Sequence, residues 1–258
     1  MNEHPAAEPL TSNRPFLSGS TRARVATILL GLCIAVNVAS LFSAYLQIDF
    51  ISRVQAGEEL TPEDAEANDA RETLVAVLWL AVFIATAIAF LVWVHRAYRN
   101  LEALGNKKSQ LEFSPGWAVG WYFIPLANIV YPFKAMREIW QKSDPGVRSD
   151  DDLAWQRTDY TPPVVLAWWI VWLTSGVASR LLNRFANDAQ TADSMLWVTK
   201  FSIGVDLLAI VSAVLAILVV QGINKRQEER IRHVRYVEST PPPPTLYTQT
   251  AGDAPAQR

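Results

Sequence analysis

The chain has 258 residues, half of them hydrophobic, and a formal net charge of −2 at neutral pH. This balance gives no reason to expect a nucleic-acid partner, which would require a basic surface. The single cysteine, Cys33, excludes an intramolecular disulfide and a zinc site built on several thiolates. The hydrophobic residues lie in long uncharged blocks, and blocks of about 18 residues or more are typical of membrane-spanning helices. The chain is therefore predicted to be an integral membrane protein.

The N-terminal part of the chain predicts a tail, one span and a connector. Residues 1–20 are polar and proline-containing, without periodicity, and are predicted to be disordered. The first uncharged block, about 25–48, is too long for a typical cleaved signal peptide and predicts the first span. An acidic, soluble connector is predicted over 49–72. Within it, Thr61 and Pro62 have the residue types of a helix N-cap and first helical position.

The remaining chain predicts three more spans and a second tail. The second span is predicted over about 73–94, and its helical pattern continues to a C-terminal cap at Gly105, so its last turns should protrude from the bilayer. The third and fourth spans are predicted over about 162–180 and 196–220, separated by a polar loop. The tail over 233–258 is proline-rich and is predicted to be disordered.

The stretch 114–140, SPGWAVGWYFIPLANIVYPFKAMREIW, contains an uncharged run long enough to be a fifth span. If it crossed, with the N-terminus in the cytoplasm, the cytoplasmic side would hold 10 lysine and arginine residues and the outside 13. If it does not cross, the counts become 18 and 5. Because cytoplasmic loops carry the excess of positive charge, the stretch is predicted to return to its own side, with both termini cytoplasmic.

Local chemistry supports a turn in this stretch. Pro125 lies in mid-run, where it removes a helical hydrogen bond, and Asn128 follows three residues later. Pro132 suits the first turn of a new helix. This helix is predicted to be interfacial, with polar side chains directed away from its apolar face: Lys134, Arg137, Glu138 and Gln141. Whether the stretch enters deeply as a re-entrant hairpin or lies among the headgroups stays open.

The segment VWVHRAYRNLEALG, followed by FSPGWAVGWYFIPLANIVYPFKAMREIW, a tryptophan-rich helix and a last helix that carries an aspartate, resembles domain of unknown function 4328. This is a family of bacterial integral membrane proteins. The resemblance covers roughly residues 25–230 and implies a location in the bacterial inner membrane and a multi-helix bundle. The resemblance implies no activity, no substrate and no catalytic residue. The expected fold is an all-α membrane domain over 21–232, with four transmembrane helices in two hairpins plus the re-entrant or interfacial segment.

Asp206 is the clearest candidate for a functional side chain in the spans, because ionisable groups inside a membrane are costly and often functional. Helices three and four are expected to be antiparallel neighbours, so Asp206 and Arg180 are predicted to meet as a structural ion pair. A proton or ion pathway, or snorkelling of the carboxylate to water, are the alternatives. Asn37, midway along the first span, is predicted to form a hydrogen bond to another helix, with a pore-lining role as the alternative.

His95, Arg96 and Arg99 directly follow the second span. They are predicted to form a basic collar against anionic headgroups. The alternative is a binding pocket that includes Asn100, Asn128 and the turn of the re-entrant segment. No second histidine or acid at ligand spacing indicates a metal.

The sequence contains no Walker loop, His-Glu-x-x-His or Gly-x-Ser-x-Gly motif, so no catalytic residue and no cofactor are predicted. The expected function is a non-enzymatic scaffold or regulatory membrane protein. A small transporter or channel is the alternative, and an intramembrane enzyme is the weakest reading. The expected partners are the lipid bilayer and either another membrane protein or further copies of the chain.

Overall fold

The computed structural model describes residues 15–106, 108–146 and 160–239, with side chains as far as 232. Within these ranges the chain forms α-helices and short 3₁₀ turns. The α-helices are α1 (Ser20–Gln55), α2 (Pro62–Ala103), α3 (Pro115–Gly120), α4 (Tyr131–Lys142), α5 (Pro163–Asp188) and α6 (Ala192–Ser239). Most of the predicted N-terminal tail and all of the C-terminal tail beyond Ser239 lie outside the described residues.

Four helices are long and apolar enough to cross a membrane: α1, α2, α5 and α6. This confirms the predicted all-α membrane fold with four spans. α1 and α2 form one hairpin, α5 and α6 form the other, and the two hairpins join because α1 packs along α6. We call the end of the bundle where α1 begins and α2 ends the basic end. The other end, where α1 ends and α2 begins, is the opposite end.

α2 is one uninterrupted helix that begins eleven residues before the predicted span. Thr61 Oγ1 accepts a hydrogen bond from the Asp64 backbone N–H (3.2 Å), and Asp64 accepts one from the Thr61 N–H (3.1 Å). This reciprocal cap, with Pro62 at the first position, starts a helix in the segment predicted to be a soluble connector. At its other end Gly105 adopts φ +86° directly after the helix, as predicted.

The predicted polar loop between the third and fourth spans is also mostly helical. Only residues 189–191 separate α5 from α6. Thr191 and Ser194 cap the start of α6 by exchanging backbone-to-hydroxyl hydrogen bonds of 3.0 and 3.2 Å. The residues from Arg180 to Asp188 contain neither glycine nor proline, so nothing stops α5 before this cap.

The stretch 114–140 is interrupted by a γ-turn at the predicted position. The Ala127 N–H donates to the Pro125 carbonyl at 2.8 Å, and Leu126 between them has φ 64° and ψ −45°. Leu126 is 80% exposed at the tip of this turn. α4 then begins with Pro132 in its first turn, as predicted. No long fifth helix forms in residues 108–146.

This segment fills the gap between α2 and α5 at the basic end. The Tyr122 ring packs edge-on against Phe90 of α2 and Trp172 of α5, with ring centroids 6.4 and 6.5 Å apart. The Trp169 indole N–H of α5 donates to the Ile129 carbonyl at 3.2 Å. We call residues 108–146, together with the ends of α2 and α6 that they contact, the platform.

Candidate functional site

The carboxylate of Asp206 is buried between spans and faces α1. Its side chain is 9% exposed, and Ser40 of α1 supplies a hydrogen bond to it. Its Oδ2 atom is buried without a hydrogen-bond partner among the described residues. A buried polar atom left unpaired in a membrane span is costly, so Asp206 stays a candidate for a functional side chain.

The ion pair predicted between Asp206 and Arg180 does not form. The Arg180 guanidinium donates to the Gly176 carbonyl of its own helix at 3.2 Å. The prediction placed a short polar loop over residues 180–194, but only 189–191 separate the two helices. Residues equally far from this turn lie level with each other, so Asp206 lies level with Thr174, about 9 Å along the helix from Arg180 at 1.5 Å per residue.

A stripe of polar side chains runs along α1 and extends on both sides of Ser40, the residue that contacts Asp206. It occupies one face of the helix: Cys33, Asn37, Ser40, Ser43 and Gln47.

Each end of this stripe has partners on α2. The Cys33 thiol lies 3.2 Å from the Thr86 hydroxyl, and Ser43 donates to Glu72 at 2.5 Å. Asn37 donates to the Cys33 carbonyl of its own helix at 2.7 Å, so the predicted bond across to another helix is replaced by a bond within α1. The Asn37 Oδ1 atom is buried without a partner in the described part of the chain.

Glu138 of α4 is the centre of a buried polar network in the platform. The residue is 6% exposed, and its carboxylate accepts from the Tyr98 hydroxyl (2.5 Å), the Glu112 N–H (2.9 Å) and the Lys142 ammonium (2.7 Å). Lys142 also donates to the Gln110 carbonyl. The prediction that Glu138 points away from the buried face was wrong, because α2 and the segment before α3 cover that side of α4.

Arg230 of α6 joins the ends of two other helices. It is 2% exposed and donates to the carbonyls of Leu104 (3.1 Å), Lys142 (2.6 Å) and Asp144 (3.2 Å). Leu104 caps the C-terminus of α2, and Lys142 is the last residue of α4. A cation at these carbonyls satisfies acceptors that a helix end leaves free and favours the negative end of both helix dipoles.

Gln227, one turn before Arg230, makes a second connection. Its amide donates to the Ala97 carbonyl (2.8 Å) and the Ser143 hydroxyl (3.1 Å), and it accepts from Asn100 (3.2 Å). Asn100 also donates to the Leu17 carbonyl at 3.0 Å. Asn100 is therefore a buried structural residue of the platform and not part of a pocket. Sequence reasoning missed Gln227 and Arg230, whose only signal was their spacing of three on one helix.

The predicted basic collar adjoins a groove of about 360 Å³ at the basic end. We call this the basic groove, and its lining comes from α1, α2 and α3: Arg22, Leu91, Val92, His95, Arg96, Gly116 and Val119. Arg96 Nε is buried there without a hydrogen-bond partner among the described residues. Arg99 is exposed beside the groove.

The turn of the platform contributes nothing to the basic groove. The Asn128 N–H donates to the Ile124 carbonyl at 2.9 Å, while its side-chain Oδ1 is buried without a partner in the described ranges. The alternative pocket of Asn100 and Asn128 with the collar is therefore not assembled.

The described residues contain no group of three or more histidine, cysteine, aspartate or glutamate side chains placed to hold a metal ion. No curated protein and no solved structure matches the chain. One family model matches residues 56–225, which covers α2 to most of α6 and leaves α1 outside, a narrower range than the resemblance in sequence indicated. The segments quoted above, with the γ-turn, α4 and Asp206, all fall inside the matched range. On this match the chain belongs to the family described as Domain of unknown function (DUF4328).

Proposed function

We propose that this chain is a non-enzymatic scaffold or regulatory protein of the bacterial inner membrane, which presents the platform to partners in the cytoplasm. The buried network of Glu138, Lys142 and Arg230 carries the proposal. These charged side chains are engaged within the protein, where they hold α2, α4 and α6 together. A surface held in one arrangement by buried hydrogen bonds is suited to recognition, because little entropy is lost when a partner binds.

The proposed orientation puts both termini and the platform in the cytoplasm. It rests on the charge distribution, since 18 of the 23 lysine and arginine residues then lie on the cytoplasmic side. We further propose that residues 114–140 form a re-entrant segment. Three apolar side chains at its turn are exposed, and the bilayer would cover them: Phe123, Leu126 and Ile129. The backbone of the turn is paired internally, as lipid requires, because the N–H groups of residues 127–129 donate to carbonyls of residues 124–126.

Labelling of single cysteines in spheroplasts tests this orientation. In a background with Cys33→Ala, a membrane-impermeant maleimide should label Glu59→Cys and Asn187→Cys in unbroken spheroplasts. Ser109→Cys should react only after the membrane is opened. Leu126→Cys should stay protected in both cases because it lies in the bilayer. Labelling of Ser109→Cys in unbroken spheroplasts would overturn the orientation, and ready labelling of Leu126→Cys in opened spheroplasts would overturn the re-entrant segment.

Site-specific photocrosslinking in living cells tests the scaffold. A photoreactive residue at the exposed platform position Lys108 or Ser109 should give a discrete protein adduct, while one at the exposed position Asp188 of the opposite end should give none. The platform adduct should weaken when Glu138→Gln loosens the network beneath it. Equal adducts at both ends, or no adduct at the platform, would contradict the proposal.

A second candidate function is a small transporter or channel, and a different observation favours it. The unpaired oxygen of Asn37 lies on the polar stripe of α1, and Asp206, with its own unpaired oxygen, meets that stripe at Ser40. Such a row of polar groups is the kind along which protons or ions move. Proteoliposomes loaded with a pH-sensitive dye test it. Transport predicts a proton flux that Asp206→Asn abolishes and that Asp188→Asn, an exposed acid on the same hairpin, leaves intact. Equal dye traces with and without protein would exclude a proton pathway.

A further inference from the structure

The basic groove concentrates positive charge from two helices without an acidic counterpart. His95 lies within electrostatic range of Arg22, Arg96 and Arg99. Within the described ranges, none of these three arginines forms an ion pair with an acidic side chain. The neighbouring acid Glu228 accepts instead from the Ser18 and Ser20 hydroxyls, at 2.5 and 3.1 Å. Unbalanced cations that share one cavity indicate an anionic ligand.

The groove contains donors of the kind that bind an oxyanion. Arg22 and Arg96 line the same cavity, and the Cγ atom of Arg96 comes within 3.9 Å of the Cβ position at Gly19, at the start of α1. The buried Nε of Arg96 is a donor whose partner the described residues do not supply. A guanidinium group presents two parallel N–H donors, which match two oxygens of a phosphate.

The groove also changes polarity along α2 as a lipid does along its length. The uncharged stretch of α2 ends at Val94, and the basic side chains begin at His95. On the apolar side of this boundary, Leu91 and Val92 line the groove, and Val92 is 49% exposed. A charged headgroup beside His95 and Arg96 would therefore continue into an acyl chain against Leu91 and Val92.

We infer that the basic groove binds an anionic phospholipid, with the headgroup phosphate between Arg22 and Arg96 and one acyl chain along α2. Basic pockets between spans recognise such headgroups by the same chemistry. Gly116 of α3 supplies the opposite wall, and a Cβ atom there would meet no atom within 4 Å. There is therefore room for a larger residue at position 116 of the lining, which would change the shape of the groove without changing its charge. This inference does not depend on whether the platform binds a partner.

Native mass spectrometry of the full-length protein in detergent tests the site, with dioleoylphosphatidylglycerol and dioleoylphosphatidylcholine as probes. We expect the anionic lipid to be retained at lower concentration than the zwitterionic one. Arg22→Gln and Arg96→Gln should each weaken its retention roughly tenfold, the loss typical of one charge-assisted contact. Gly116→Leu, which keeps both arginines, should weaken it as well. Arg24→Gln removes an exposed charge from the same end of α1 and should leave retention unchanged.

The same measurement with added inorganic phosphate distinguishes a lipid headgroup from a free phosphate ion as the ligand. Millimolar phosphate should not displace the lipid, because it cannot use Leu91 and Val92. Displacement by phosphate alone would overturn the lipid assignment in favour of a free anion. Equal retention of the two lipids, or an equal loss with Arg24→Gln, would also overturn it, since either result indicates general surface charge. Should Arg96→Gln prove unstable by thermal unfolding, Arg22→Gln and Gly116→Leu decide the outcome.

Discussion

The indole ring of Trp140 in α4 packs so closely against α6 at Gly222 that a Cβ atom there would lie 2.7 Å from two of its ring atoms. The Arg226 guanidinium lies over the same ring, 4.7 Å from its centroid, and forms a 2.7 Å ion pair with Asp144. The Trp140 ring therefore packs against two residues on one face of α6, Gly222 and Arg226. Its contact with Gly222 sets the separation of α4 and α6.

Gly222→Ala should therefore destabilise the protein. The added methyl group forces Trp140 or the helix to move, and such overpacking typically costs about 1–3 kcal/mol. Thermal unfolding in detergent measures the effect. Gly204→Ala in the same helix is the matched control, because a Cβ atom there meets nothing within 4 Å. It should be neutral or slightly stabilising, since alanine is the better helix former. Equal effects of the two substitutions would contradict the close contact.

Glu138→Gln should lower the free energy of unfolding by about 3 kcal/mol, because it leaves the Lys142 ammonium group buried without a counter-charge. Both side chains of this pair are largely buried, at 7% and 14% exposure. The exposed pair of Glu112 and Lys134, 3.5 Å apart, provides the control. Glu112→Gln should cost no more than about 0.5 kcal/mol, as is usual for solvated ion pairs. Chemical unfolding of both variants in one detergent gives the comparison, and similar costs would argue against a buried network.

Arg230→Lys should loosen the platform although it keeps the charge. A lysine cannot reach the carbonyls of Leu104 and Lys142 together, because it lacks the planar fork of the guanidinium group. We expect faster hydrogen exchange at the C-terminus of α4 and a loss of about 2 kcal/mol of stability. Arg232→Lys, an exposed position whose side chain bonds only to the Glu228 carbonyl among the described residues, should change neither quantity. Unchanged protection from hydrogen exchange in Arg230→Lys would contradict this, because it would show that a positive charge alone is enough to hold the C-terminus of α4.

Asp206→Asn should raise the thermal midpoint, by the equivalent of about 1 kcal/mol, because it removes a charge that is buried with one oxygen unpaired. The amide can still accept a hydrogen bond from Ser40. Arg180→Gln should leave the midpoint unchanged, since that side chain is exposed and bonds only within its own helix among the described residues. A structural ion pair would give the reverse pattern, in which both substitutions are destabilising by similar amounts.

Local signals in the sequence predict where the helices turn and stop. Thr61 and Pro62 start α2, Gly105 ends it, and Pro132 starts α4. These residues act through their own backbone geometry, so their effect does not depend on distant parts of the chain. The same reasoning placed the turn between Pro125 and Asn128.

Predictions that depend on distant partners were less successful. The sequence predicts Glu138 to be a surface residue and, in one alternative, Asn100 to be a pocket residue, because polar side chains are mostly exposed. They are buried because Tyr98 and Gln227, from other helices, and Lys142, one turn further along α4 from Glu138, satisfy them. The pairing of Asp206 with Arg180 was wrong for a related reason: polarity marked residues 180–194 as a loop, whereas helix propensity and a late cap extend both helices. An error of a few residues at a turn displaces every predicted contact between the helices it joins.

The continuity of α2 has a mechanical consequence. Its 42 residues span about 63 Å at 1.5 Å per residue, and it contains no glycine and no proline after the first position. Sharp bends in helices arise almost always at such residues or at backbone defects, so α2 behaves as a stiff rod. A tilt imposed on the cap at Thr61 is then transmitted to Tyr98 and Asn100 at the other end, without a hinge to absorb it. The connection between α1 and α2 at the opposite end and the platform at the basic end are therefore joined by one rigid helix.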